Sequence, residues 1–247
     1  MLNNDLKIIQ DWIHYKLIHI YSLTEKLNSL ILKDMDDNKS KINELKNHQI
    51  PNFKESIYER GYKTPRELKE LEKVEPETVK EFNRQFWISI KLIWEESQIA
   101  MAENSFLQLN NSSIFLLTIA HFENGLRLLC EYYKKERKIT LSWRDLKGSS
   151  LDVYKNYFIK VVGLNYNFGK STKWSEMRES YLIRNFLIHK GGILDDSEQS
   201  KKALVIASKN KLLKFNESYE LIISKDYLNN VIEVADNFYL DFFNNAK

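Results

Sequence analysis

The chain has 247 residues, of which 43% are hydrophobic and 29% charged, a globular balance that excludes a wholly disordered protein. A single cysteine, Cys130, excludes a disulfide framework and a cysteine-rich zinc site. Lysine plus arginine (37) exceed aspartate plus glutamate (34) by 3, which permits a polyanionic partner without demanding one.

Seven glycines and three prolines are too few for a sandwich built on many tight turns, and they favour helices. The start, Met1-Leu2-Asn3-Asn4-Asp5, lacks the basic segment and small-residue cleavage site of a secretory signal. The longest apolar run, Ile114 to Phe122, is interrupted by Thr118 and His121 and falls well short of the roughly 20 residues of a membrane span. A soluble cytoplasmic protein without a membrane partner is the expectation.

Leu6, Ile9, Ile13, Leu17, Ile20, Leu27, Leu30 and Ile31 recur at helical spacing, which predicts a helix over residues 5–33. The polar stretch Lys33 to Ser40 reads as a turn, followed by a second helical segment from Lys41 that Pro51 stops. Thr64-Pro65-Arg66-Glu67 has the cap, proline and glutamate of a helix start. Glu75-Pro76-Glu77 repeats the signal and opens a helix reaching about Gln108. All three prolines precede residue 77. The shift divides the chain into an N-terminal helical extension, residues 1–76, and a helical domain, residues 77–247.

Within that domain Ser112 to Lys135 is apolar nearly all round and predicts a buried central helix. Ser149-Ser150-Leu151-Asp152 caps a shorter helix that Gly163 ends. Ser171 or Thr172 starts another, running through Trp174, Met177, Tyr181 and Phe186 to His189, with Gly191-Gly192 past its end. Leu212–Phe215 and Tyr219–Ile223 predict a small β-hairpin before a last helix from Ser224 or Asp226 to about Phe243. The fold class is all-α.

No glycine-rich phosphate loop, Gly-x-Ser-x-Gly or His-Glu-x-x-His occurs. The five histidines, at 14, 19, 48, 121 and 189, share no metal-ligand spacing. His14 and His19 stand about 140° apart on a helix, so neither a metal nor another cofactor is expected. The informative stretch is Arg184-Asn185-Phe186-Leu187-Ile188-His189-Lys190-Gly191-Gly192. Asn185 and His189 lie about 40° apart, on the face of Leu182 and Phe186, and Arg184 lies about 100° to the other side of Asn185. Polar groups buried on an apolar face need partners. Either they form a structural network tying down the last turn, or they form a catalytic cluster facing a cleft.

Arg184-Asn185 followed by His189, near the end of a late helix, resembles the Arg-x4–6-His motif of the HEPN superfamily, in which Asn, Asp or His often follows the arginine. Ala120-His121-Phe122-Glu123-Asn124-Gly125-Leu126-Arg127 looks like the buried partner helix of such proteins, and the resemblance covers roughly residues 77–245. It implies a HEPN-type helical bundle and a metal-independent endoribonuclease of toxin or phage-defence type, with RNA as substrate and an inhibitory or sensor protein as a further partner. Where some toxin members carry a tyrosine modified by a partner nucleotidyltransferase, this chain has Gly191, which puts that regulation in doubt.

Chemistry explains the residue types in such a motif. The 2′-hydroxyl of RNA attacks the adjacent phosphate and leaves a cyclic phosphate and a 5′-hydroxyl. A histidine near neutral pKa moves the protons, an arginine holds the phosphate, and an asparagine holds an oxygen or orients the imidazole. His189, Arg184 and Asn185 take those roles. Glu123 and Arg127, four residues apart, read as an ion pair supporting the active helix. His121 and Cys130 read as core residues, Lys134 to Lys138 as a solvated helix end, and the five tryptophans as core. Arg184 and His189 leave one helix about 140° and about 7.5 Å apart, so two copies of the helix, in a homodimer, are needed to converge on one phosphate. The competing reading is a non-catalytic helical dimerisation module that binds RNA, nucleotide or a protein partner.

Overall fold

The computed structural model describes residues 4–49, 73, 76–101, 105–148 and 150–246. Helix α1 (Asn4–Gln49) is one helix of 46 residues, so the turn expected over Lys33 to Ser40 does not form. That stretch is polar but contains no glycine or proline, and Met35 and Ile42, seven residues apart, are both buried on one face. The helix simply continues with a solvated opposite side. Pro51 and the Thr64–Glu67 helix start lie outside the described residues.

The chain divides into two compact units, residues 28–107 and residues 1–27 with 108–247. This cut differs from the one drawn at residue 77. The reason is the first half of α1, whose Leu6, Ile13, Leu17 and Ile20 join the core of the larger unit. In the smaller unit α2 (Pro76–Met101) begins at the expected proline and ends before the expected Gln108. Its Trp87 and Trp94 are 67% and 62% exposed, which overturns the expectation of five core tryptophans. They lie one heptad apart, on the same face of the helix.

The larger unit is built on α3 (Leu107–Glu136). Its buried residues, among them Phe115, Phe122, Leu126 and Leu129, form one broad stripe, while Leu109 and Leu117 face solvent. The helix is therefore amphipathic rather than buried all round. After a single 3₁₀ turn (Trp143–Asp145), α4 (Ser150–Asn156) continues into a π-helical turn (Tyr157–Val162) closed by Gly163 at φ 75°. The neighbouring cap residue Ser149 lies outside the described residues. Helix α5 (Thr172–Lys190) starts where Ser171 Oγ accepts from the Trp174 amide and ends at Gly191 in the left-handed region.

Helix α6 (Glu198–Lys209), capped by Ser197, was not anticipated from the sequence. Strands β1 (Leu213–Phe215) and β2 (Leu221–Ile223) pair antiparallel as the expected hairpin. Gly192, at φ 77°, turns the chain so that its carbonyl accepts from the Leu221 amide at 2.9 Å, and the Leu194 amide donates to Tyr219 at 3.0 Å. The end of α5 is thus fastened to the hairpin. Helix α7 (Lys225–Asn245) follows, capped by Ser224.

Aromatic rings hold these elements together. Phe122 of α3 meets Phe238 of α7 at 5.2 Å, and Phe168, in the loop before α5, meets Trp174 at 4.8 Å and Tyr166 at 4.8 Å. Burying each such ring contributes about 1.5–3 kcal/mol, with about 0.5–1.5 kcal/mol more from well-placed ring pairs. Tyr166 keeps its hydroxyl satisfied by donating to Asp241 Oδ2 at 2.7 Å.

Candidate functional site

Helix α5 packs on α6 and α7, its Ile183 and Phe186 are fully buried, and Phe186 meets Phe215 of β1 at 6.2 Å. That orientation sets the exposure of the motif. Arg184 and Asn185 are half-buried at the edge of the packed face, and His189 is exposed. Leu182, expected beside Phe186 on an inward face, is 42% exposed, and Ile188 is 46% exposed. The expectation that all three polar groups sit buried on an apolar face is corrected here. Ile183 and Phe186 aim the helix inward, and His189 lies far enough round the turn to reach water. These groups are therefore accessible to a ligand without a large desolvation penalty.

Arg184 Nη1 donates to Asn185 Oδ1 at 2.8 Å, and the guanidinium lies over the Tyr181 ring with its carbon 5.6 Å from the centroid. The side chain thus leans one turn towards the start of the helix, as helical side chains do. His189 occupies the last turn. Arg184 and His189 diverge along α5 instead of meeting.

The chain just past His189 is pinned by a network the sequence reading missed. Lys190 Nζ donates to Asp195 Oδ2 at 2.8 Å, and Asp195 Oδ1 accepts from the Ser197 amide at 3.0 Å and from Ser200 Oγ at 2.6 Å. Lys190 first, then the Ser197 and Ser200 donors, hold the Asp195 carboxyl well below the usual range. The signal was Asp195-x-Ser197 ahead of Glu198, an Asx turn feeding a helix cap.

On α3, Arg127 Nε and Nη2 both donate to Asn124 Oδ1, at 3.1 and 2.7 Å. Tyr154 of α4 is 3% exposed. Burial pushes the Tyr154 hydroxyl up, Glu123 adds to this, Arg127 opposes it, and Tyr181 of α5 contributes weakly. The Tyr154 ring meets Trp143 at 4.9 Å.

His121 is half-buried, edge-on to Trp12 at 5.8 Å; burial, and then Lys16, lower its pKa. Cys130 is fully buried, and burial, with Glu131 second, pushes its thiol up. His14 Nδ1 sits 2.7 Å from Asp236 Oδ1, and His19 stacks on Tyr15. Among the described residues no group of three or more His, Cys, Asp or Glu could hold a metal ion, and no helix is long and apolar enough to cross a membrane. No protein-family model, curated protein or solved structure compared with the chain matches it.

Proposed function

We propose that this protein is a metal-independent endoribonuclease of the HEPN type that cuts RNA by 2′-hydroxyl attack on the adjacent phosphate. The observation that carries the reading is the condition of the motif on α5. Arg184 is held by Tyr181 and Asn185, both uncharged, and His189 stands in solvent one turn and a half further on. A structural network would spend these groups on each other, whereas accessible ones remain free to meet a phosphodiester.

In this reading Arg184 binds the scissile phosphate and offsets the charge that gathers on its oxygens. Asn185 fixes the guanidinium through its carbonyl and keeps its amide N–H groups for a phosphate oxygen. His189 moves the proton from the 2′-hydroxyl or to the leaving 5′-oxygen. The divergence of Arg184 and His189 favours a site shared by two antiparallel copies of α5 in a homodimer, with exposed Leu182 and Ile188 available at the contact. A toxin or phage-defence role follows from the resemblance of the motif.

Incubation of purified protein with RNA in EDTA tests the reading. Cleavage that persists and leaves cyclic-phosphate ends is the expected result. No cleavage, or magnesium-dependent products with 3′-hydroxyl ends, would favour the dimerisation-module reading or a different chemistry.

A further inference from the structure

The hairpin turn beside the motif carries a residue that its backbone does not favour. Asn216 to Glu220 form a tight turn closed by two backbone bonds, from the Asn216 amide to the Glu220 carbonyl at 2.9 Å and from the Tyr219 amide to the Asn216 carbonyl at 3.0 Å. The Asn216 side chain steadies it, its Oδ1 accepting from the Ser218 and Glu220 amides at 3.0 and 2.9 Å. The residue that closes such a turn stands in the left-handed region and is ordinarily glycine; here it is Tyr219, at φ 61°. A bulky side chain is strained there. Packing within the chain does little to offset the strain, because Tyr219 is 67% exposed.

The turn is fastened to the chain that ends the motif helix. Past His189 the Ile193 amide donates to the Lys190 carbonyl at 3.2 Å. Ile193 then stands opposite Glu220 in an antiparallel bridge, flanked by the Leu194–Tyr219 and Gly192–Leu221 backbone bonds. The carbonyl of Tyr219 therefore lies no more than about 10 Å from that of Lys190, the residue after His189. Along this paired segment Leu221 is buried and Leu194 half-buried, and the alternation of a strand would send Tyr219 inward with them. The left-handed residue breaks that alternation, and Tyr219 stands in solvent as His189 does.

We propose that Tyr219 is a substrate-contacting residue, on which an unpaired nucleobase stacks when the adjoining phosphodiester lies at His189. The inference rests on the ribonuclease reading and gives its substrate a class, a single strand. Glu217 and Glu220 flank the tyrosine, so a phosphate is disfavoured there, whereas a base is uncharged and offers a flat face to the ring. A base inside a duplex is already stacked on both sides and has no face to offer. Ile193, 55% exposed and opposite Glu220, adds apolar surface at the same bridge. The hydrogen bonds of the turn fix the backbone that carries the ring, so less of it must be ordered when the base docks.

The test uses the full chain and a fluorescein-labelled 2′-O-methyl oligouridine, which lacks the attacking hydroxyl and so reports binding without cleavage. Fluorescence anisotropy is followed over a salt series, and a thermal melt is recorded, for the wild type, Tyr219→Gly and Tyr219→Phe. Glycine relieves the turn and removes the ring, so Tyr219→Gly should melt about 2–4 °C above the wild type and bind about tenfold more weakly. The slope of log Kd against log salt should stay unchanged, because no ionic contact is lost. Tyr219→Phe keeps the ring and should bind within about twofold of the wild type. Wild-type protein that does not bind the strand, or Tyr219→Gly that binds as wild type does, overturns the inference. So does a lower melt for Tyr219→Gly, since the ring would then serve the fold, or preference for a duplex of the same length. Ring-dependent binding by a protein that never cuts unmodified RNA would sink the ribonuclease reading and leave the stacking contact standing. Cleavage that does not depend on Tyr219, with binding equally unchanged, would do the reverse.

Discussion

Tyr239 of α7 lies against the bare Cα of Gly125 in α3 and donates its hydroxyl to the Phe122 carbonyl one turn earlier. A Cβ at residue 125 would stand 2.7 Å from Tyr239 Cζ and 3.1 Å from Ile13 Cδ1 of α1. The glycine thus lets three helices approach at one point. Gly125→Ala should cost about 1–3 kcal/mol of stability by overpacking. Part of that loss should vanish in a Tyr239→Phe background, which removes the hydroxyl from the space but leaves the ring Cζ in place. Chemical denaturation of the four proteins of this cycle measures the coupling, and additive losses would show that the close approach is not the cause.

Cys130 should be invisible to thiol reagents in the native protein. Its side chain is fully buried, and burial followed by Glu131 pushes the thiol up, so almost no reactive thiolate is present at neutral pH. Labelling with an aromatic disulfide across a urea titration should follow the unfolding transition. Rapid labelling without denaturant would mean that α3 opens locally.

The pH dependence of stability near neutrality should carry the mark of His121. Its folded pKa is lowered, by burial first and Lys16 second, below the value of about 6.5 for the unfolded chain. Between the two values the unfolded chain binds the extra proton. Stability from this site is therefore complete above about pH 6.5 and declines as pH falls towards the folded pKa. His121→Gln should flatten the thermal-melt profile between about pH 7 and about pH 5. An unchanged profile would assign the decline to other groups.

Much of this architecture is legible in the residues themselves. Gly191-Gly192, Gly163, Ser171 and Ser224 mark helix ends by chemistry that acts within a turn, and alternation marked the hairpin. What failed had a tertiary cause. Lys33 to Ser40 looked like a turn by polarity, yet Met35 and Ile42 keep one buried face running through it. Helical spacing suggests a core position for the tryptophans, yet spacing alone cannot say which face of α2 is covered. The spacing of Arg184, Asn185 and His189 is visible in the sequence, but their exposure depends on which face of α5 is buried, and that is set by the elements packed against the helix.

Exposure makes His189 a clean target. Because its side chain meets solvent, His189→Ala should shift stability by no more than about 0.5 kcal/mol. Cleavage should fall by roughly 100-fold or more if the imidazole transfers the proton. A melt that collapses together with activity would return His189 to a structural role.

A site shared between two copies, as proposed, makes a sharper prediction, in which two inactive proteins restore each other. Arg184 leans towards Tyr181 and the start of α5, whereas His189 sits in its last turn, so one helix offers the two groups to different places. In an antiparallel pair the arginine of one copy faces the histidine of the other, giving two composite sites per dimer. Joining an Arg184→Ala copy to a His189→Ala copy leaves one site with both groups lost and the other with both intact. After random exchange of subunits half the dimers are mixed, so the mixture should regain about a quarter of wild-type activity while each variant alone stays inactive. The regained activity should fall on dilution as dimers dissociate. A mixture no more active than its components, with subunit exchange confirmed by mass, would place each arginine and histidine in the same site by another route and end the composite-site model.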